Sequence, residues 1–230
     1  MERLSKTQIE TLYKFTRKHF VEFYDVQTEL VDHLANGIET QWEENANVTF
    51  EEALTREFKK FGVFGFSEIV EQRTKVLEKR YRKEVFKNLK AYFKLPKIII
   101  TIFSIWALFQ ILQYFKEKQT LVVLLIACVL VFCFSYYLYE TKKIKRNQKQ
   151  TGKKWLFESV NSQLGGFIHL LNIGIYMPII NFDKEWDLLV LLFFSICIVM
   201  YSLLFYVSIH VVSPKLRTKF SKENPEYKLV

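Results

Sequence analysis

The chain has 230 residues and a net charge of +9, with 50% of its residues apolar and 17% aromatic. At that length one or two domains are expected. The charge is too segregated to mark a nucleic-acid protein: residues 1–78 carry 10 Lys+Arg against 15 Asp+Glu, whereas residues 79–97 carry 8 against 1. The three cysteines, Cys128, Cys133 and Cys197, all fall inside apolar runs without a CxxC, so neither disulfides nor a zinc site is expected.

The first 78 residues read as a small all-α domain. Ser5 and Gln8 form a capping box, with Leu4 and Ile9 at the positions of a hydrophobic staple. Ile9, Leu12, Tyr13, Phe20 and Phe23 then recur at helical spacing. Asp25 is placed to cap a second helix running to about Glu44, and ENANV at 44–48 reads as a loop. Thr49 and Glu52 give a second capping box, opening a helix through Phe50, Ala53, Leu54, Phe58 and Phe61 that Gly62 stops. A fourth helix follows through Ile69, Val70, Val76 and Leu77, and no strand pattern competes.

The second helix divides cleanly on a helical wheel. Leu30, Val31, Leu34, Ala35, Ile38 and Trp42 make a buried stripe. Glu29, Asp32, Asn36, Glu39 and Glu43 lie opposite, and His33 sits at the edge, four residues after Glu29. Three readings compete for this acidic face. It is a solvated surface, a docking face for a partner protein or for the chain's own basic loops, or a divalent metal site at Glu29, Asp32 and His33. The metal reading needs further ligands that no second His/Cys cluster offers. No metal and no cofactor is expected.

The stretches DVQTELVDHLANGIETQWEE and TFEEALTREFKKFGVFGFSEIVEQR carry a family-level pattern. An acidic helix of the type E-x-x-D-H/L, a loop, an E-E-A helix start, an FG turn and a helix opening on an acidic residue and Ile resemble a bacterial α-helical signalling domain. That domain is associated with PadR-type regulators and is often followed by membrane helices. The resemblance covers residues 5–75. The aromatic-rich FKKFGVFGF departs from the family's spacing around the glycine, and no DNA-binding helix-turn-helix follows. The resemblance implies a cytoplasmic relay module and brings no catalytic residue.

Residues 79–97 form a basic amphipathic linker. Val85, Phe86, Leu89, Tyr92 and Phe93 share a face, and Lys83, Lys87, Lys90 and Lys94 occupy the rest. Such a segment is expected to lie against anionic lipid headgroups. Four apolar stretches follow, at 98–115, 121–139, 164–182 and 188–212, each long enough to cross a bilayer. Seven cations and no anion in 142–154, and the basic tail at 213–230, place those segments on the side of the linker by the positive-inside rule. A four-helix transmembrane bundle with both termini cytoplasmic satisfies every loop. The N-terminal MERLSKTQIETLYKF lacks an apolar signal-peptide core, so delivery to a bacterial inner membrane is expected to rest on the first span.

Glu158, Ser162, Gly165, His169, Asn172 and Tyr176 follow a 4-3-4-3-4 spacing, which on one continuous helix makes a polar stripe facing the bundle interior. It reads either as helix-packing glue or as a polar, ligand- or proton-sensing pocket around His169 and Asn172. No nucleophile–base pair or phosphate loop is present, so an enzyme is not expected. The leading expectation is a multi-pass sensor, regulator or accessory subunit with a cytosolic or membrane protein partner, as a monomer or homo-oligomer. The alternative is a small oligomeric transporter using the polar stripe.

Overall fold

The computed structural model describes residues 3–170 and 186–227. Every regular element among them is helical, and no strand occurs. The chain divides into two compact units: residues 1–77 with 146–159, and residues 78–145 with 160–230.

In the first unit, α1 (Lys6–Lys18) starts at Ser5, and both bonds of its capping box with Gln8 are made. A cap of this kind holds a helix end by about 1 kcal/mol. α2 is Tyr24–Glu44 and α3 is Phe50–Lys59, the latter opened by the Thr49–Glu52 capping box. α4 (Phe66–Leu89) begins in this unit and continues into the second. Leu30, Val31, Leu34 and Ile38 are buried as their spacing requires, beside Leu12, Val26, Ala53 and Phe66. Phe15, Phe58, Phe61 and Phe66 pack in edge-to-face pairs, with the His19 ring between Phe15 and Phe58. α2 passes α3 at Gly37, where a Cβ would collide with the buried Glu57 carboxyl. That carboxyl is held by Gln41 Nε2 at 2.7 Å and Lys60 Nζ at 2.6 Å.

Two expectations are corrected here. α1 does not run on through Phe20: the chain turns there with φ +64°, and the ring is exposed. Nor does Asp25 cap α2; Phe23 holds that position without a side-chain bond, and Asp25 lies inside the first turn. Its carboxylate is used elsewhere.

In the second unit, a short 3₁₀ turn (Lys90–Phe93) follows α4. α5 is Lys97–Tyr114; α6 (Lys118–Thr151) ends in the first unit, and α7 (Leu156–Ser162) begins in the first unit and finishes in the second. α8 (Leu188–Tyr206) continues through a π-helical turn (Val207–Val212) into α9 (Ser213–Glu223). Among the described residues, three helices are long and apolar enough to cross a membrane: α5, α6 and the α8–α9 run. Only about a tenth of the apolar window of α5 and of α6 is buried inside the protein. Ile99, Ile100, Phe103, Trp106, Phe132 and Phe134 are exposed on them, and large apolar patches mark membrane or partner surfaces. Leu112, Val122, Trp186, Leu191, Phe194 and Ile198 form one buried apolar cluster of this unit.

The basic segment after residue 139 is not a loop at first, because α6 stays helical to Thr151. Of the linker's apolar face, Val85 and Leu89 are buried within the protein, while Phe86 and Phe93 are exposed. The 164–182 stretch does not begin as a regular α-helix: Leu164–Leu170 is a 3₁₀ segment in which Gly165 and Gly166 have φ +61° and +90°. Residues 171–185 lie outside the described residues.

Candidate functional site: a captured loop and a buried polar cluster

The first site belongs to the first unit. Asp25 and Glu22 meet the segment 153–157, which arrives from more than 120 positions later in the chain. Asp25 Oδ1 accepts the backbone N–H of Leu156 at 3.0 Å, and Oδ2 accepts that of Phe157 at 3.4 Å. The carboxylate thereby caps the start of α7. The Tyr24 N–H donates to Lys154 O at 2.6 Å, and Lys154 Nζ pairs with Glu22 at 2.5 Å. Lys153 Nζ lies 4.0 Å from the Tyr24 ring centre, and Trp155 packs edge-on against the same ring at 5.2 Å. Burial pushes the Asp25 carboxyl above its usual value, and the backbone donors offset only part of that shift.

The acidic face of α2 takes no part in this capture. Glu29 pairs with Arg73, and Glu39 accepts the Leu4 N–H at 3.0 Å. The His33 ring packs edge-on against Phe61 at 5.5 Å. Asp32, Asn36 and Glu43 are exposed, and their side chains enter no hydrogen bond or ion pair among the described residues. No group of three His, Cys, Asp or Glu side chains is placed to hold a metal ion among the described residues. The chain's own basic segment therefore meets α2 at its first turn, not along the face picked out by helical spacing.

The second site belongs to the second unit, where α4, α6, α7, the π turn and α9 contribute. Tyr81 is buried and donates its hydroxyl to Ser208 O at 2.9 Å. That carbonyl also takes the Ser213 N–H, the five-residue bond of the π turn. Such turns are often found at functional positions. Asn161 Nδ2 donates to Ser213 Oγ at 2.8 Å, and the Tyr136 hydroxyl lies 3.4 Å from the same oxygen. Beside them, Glu140 and Arg217 form an ion pair with side chains only 5% and 13% exposed. Lys215 holds Glu84 at 2.8 Å, which lowers the Glu84 carboxyl. Gly165 closes the cluster: a Cβ there would stand 2.5 Å from Tyr81 Cδ1. Arg82 Nη1 donates to Gly165 O at 3.1 Å and pairs with Glu78.

The six-residue polar stripe does not survive as one helix face. Glu158 and Ser162 are buried on α7, but the left-handed glycines interrupt the helix before His169, whose side chain is exposed. Asn172 and Tyr176 lie outside the described residues. Lys83, Lys87, Lys90 and Lys94 are all exposed.

Sequence reasoning missed Tyr81, Glu140, Asn161, Ser213 and Arg217. Glu140 carried a usable signal: it is the lone carboxylate at the end of the 121–139 apolar run, ahead of seven cations. A charge at such a boundary calls for a partner. Comparison with protein-family models, with curated proteins and with solved structures finds no match to this chain.

Proposed function

We propose that this chain is a non-enzymatic, multi-pass protein of the bacterial cytoplasmic membrane, with both termini cytoplasmic. Its first unit relays between the membrane helices and a cytosolic protein partner, as sensor, regulator or accessory subunit. The observation that carries this reading is the chain's connectivity. Residues 146–159, which take in the end of the membrane-length helix α6 and the start of α7, fold with the N-terminal residues, so the chain passes between its two units three times. A domain tethered at one end would pass once. A change in the membrane helices therefore has several covalent routes to the first unit, and the Asp25 clamp fixes one of them. The resemblance of residues 5–75 to a bacterial signalling domain supports the same direction. So does the open strip of Asp32, Asn36 and Glu43 on α2.

The test is affinity purification of the full chain from its native membranes in mild detergent, with mass spectrometry of what accompanies it. A stoichiometric cytosolic protein that is lost on Asp32→Lys with Glu43→Lys, in a chain of unchanged helix content, supports the relay. A partner retained in that variant rules out the α2 face as the dock.

A further inference from the structure

The second unit carries a groove of about 510 Å³ between α5 and α8 that the relay reading does not use. That volume is in the range of small-molecule sites, roughly 300–1,000 Å³. Ile100, Ile198 and Leu203 line its apolar wall. The Thr101 and Ser104 hydroxyls donate back to Lys97 O at 3.2 Å and Ile100 O at 2.8 Å, so they do not make it polar. The groove runs from Lys97 to Ser104 along α5, about 10 Å at 1.5 Å per residue. Tyr92, Lys97 and Tyr206 line it where α5 starts and α8 ends. Lys97 Nζ lies 4.4 Å from the Tyr92 ring centre and pairs with no carboxylate among the described residues. Among the described residues, no Asp or Glu lines the groove.

We infer that this groove binds one anionic phospholipid, its phosphate at Lys97 between Tyr92 and Tyr206 and an acyl chain along the wall of Ile100, Ile198 and Leu203. The inference rests on the membrane reading of α5 and α8. Charge complementarity selects the headgroup: an unneutralised ammonium at the end of a spanning helix attracts a lipid anion, and tyrosines flank headgroups at that depth. The wall selects the chain. Ile100, Ile198 and Leu203 stand beside the small Thr101, Ser104 and Ser202, which leaves an uneven apolar surface. A flexible acyl chain fills such irregular apolar space.

The experiment is native mass spectrometry of the full-length protein, delipidated in detergent and titrated with phosphatidylglycerol or phosphatidylcholine of the same chain length. One phosphatidylglycerol is expected to stay bound, with weaker retention of phosphatidylcholine. Lys97→Gln should weaken phosphatidylglycerol about fivefold, the factor that one lysine contributes at an anionic surface. Lys90→Gln and Lys94→Gln, which lie outside the groove, should leave this one lipid in place. Ser202→Phe, at an exposed groove position, should displace both lipids while helix content is unchanged. Equal losses from Lys90→Gln and Lys97→Gln would show a diffuse lipid shell and overturn the site. So would lipid retention in Ser202→Phe, or a lipid-free dimer that this variant dissociates. Recovery of the chain outside the membrane fraction would instead defeat the membrane reading beneath it.

Discussion

Asp25 of the first unit and Glu84 and Glu140 of the second are held in opposite ways, although the first unit also pairs its buried Glu57 with Lys60. In the first, Asp25 is held by backbone N–H groups of Leu156 and Phe157, and burial raises its carboxyl. In the second, Glu140 sits against Arg217 and Glu84 against Lys215, and the Lys215 bond lowers Glu84. The pH dependences therefore run in opposite directions. A carboxylate lowered in the folded state adds stability above the ordinary value of 4.5, and loses it as pH falls below. A raised one does the reverse: its contribution is complete below 3.8 and declines as pH rises through the higher folded-state value. The first unit thus fastens its late segment with a contact that tolerates protonation. The second is locked by charges that need their partners.

The sharpest way to break this contrast is at Arg217. Arg217→Met leaves Glu140 buried without its cation, and losing one member of a buried pair costs about 3–5 kcal/mol. Denaturant unfolding in detergent should show that loss, and Glu140→Gln in the same chain should recover most of it. A loss under about 1 kcal/mol would mean that the pair is wet and that the charge lock is not real.

Gly165→Ala comes next. Alanine at φ +61° is strained, and its Cβ runs into Tyr81. Left-handed strain and overpacking together should cost roughly 2–4 kcal/mol, read as a lowered thermal midpoint. Gly152, also at positive φ but with open space around it, gives the control: alanine there should cost about 1–2 kcal/mol from strain alone.

For the first unit, Asp25→Ala removes the acceptors of two amides. Exchange of the Leu156 and Phe157 amides should quicken roughly fivefold, equivalent to the loss of a cap of about 1 kcal/mol. Asp25→Asn keeps one acceptor oxygen and sheds the buried charge, so protection at neutral pH should be retained. It should also abolish the decline in protection as pH rises above 3.8. If Asn behaves like Ala, the clamp needs its charge and the contrast with the second unit fails.

These contacts mark where the sequence stops being legible. Local signals were readable: both capping boxes lie within four residues, and the α2 stripe follows from helical period alone. Period cannot show where a helix ends: Phe20 keeps the helical spacing of Leu12 and Tyr13, yet α1 stops at Lys18 and the Phe20 ring is exposed. The same blindness produced the stripe from Glu158 to Tyr176. Gly165–Gly166 was the visible warning, because paired glycines are where a chain readily takes positive φ. The Asp25–Leu156 and Glu140–Arg217 contacts span 131 and 77 positions, and no period links residues so far apart. Composition found the membrane-length helices α5, α6 and α8 because hydropathy is a sum over neighbours. It could not find the polar contacts that tie them to other segments.

The smallest effect belongs to Glu22 and Lys154, and it separates what fastens the loop from what only decorates it. Their ion pair is short at 2.5 Å, but the Glu22 side chain is 68% exposed. Solvent screens a pair so placed, and such pairs are worth about 0–1 kcal/mol. Lys154→Gln should therefore change exchange at Leu156 and Phe157 by less than about threefold, and raising salt should erase the difference. The Tyr24 N–H bond to Lys154 O uses the backbone and survives the substitution. If Lys154→Gln instead releases the segment as fully as Asp25→Ala, the attraction between acidic helix and basic loop is the fastening. The first unit would then share the charge-dependent logic of the second.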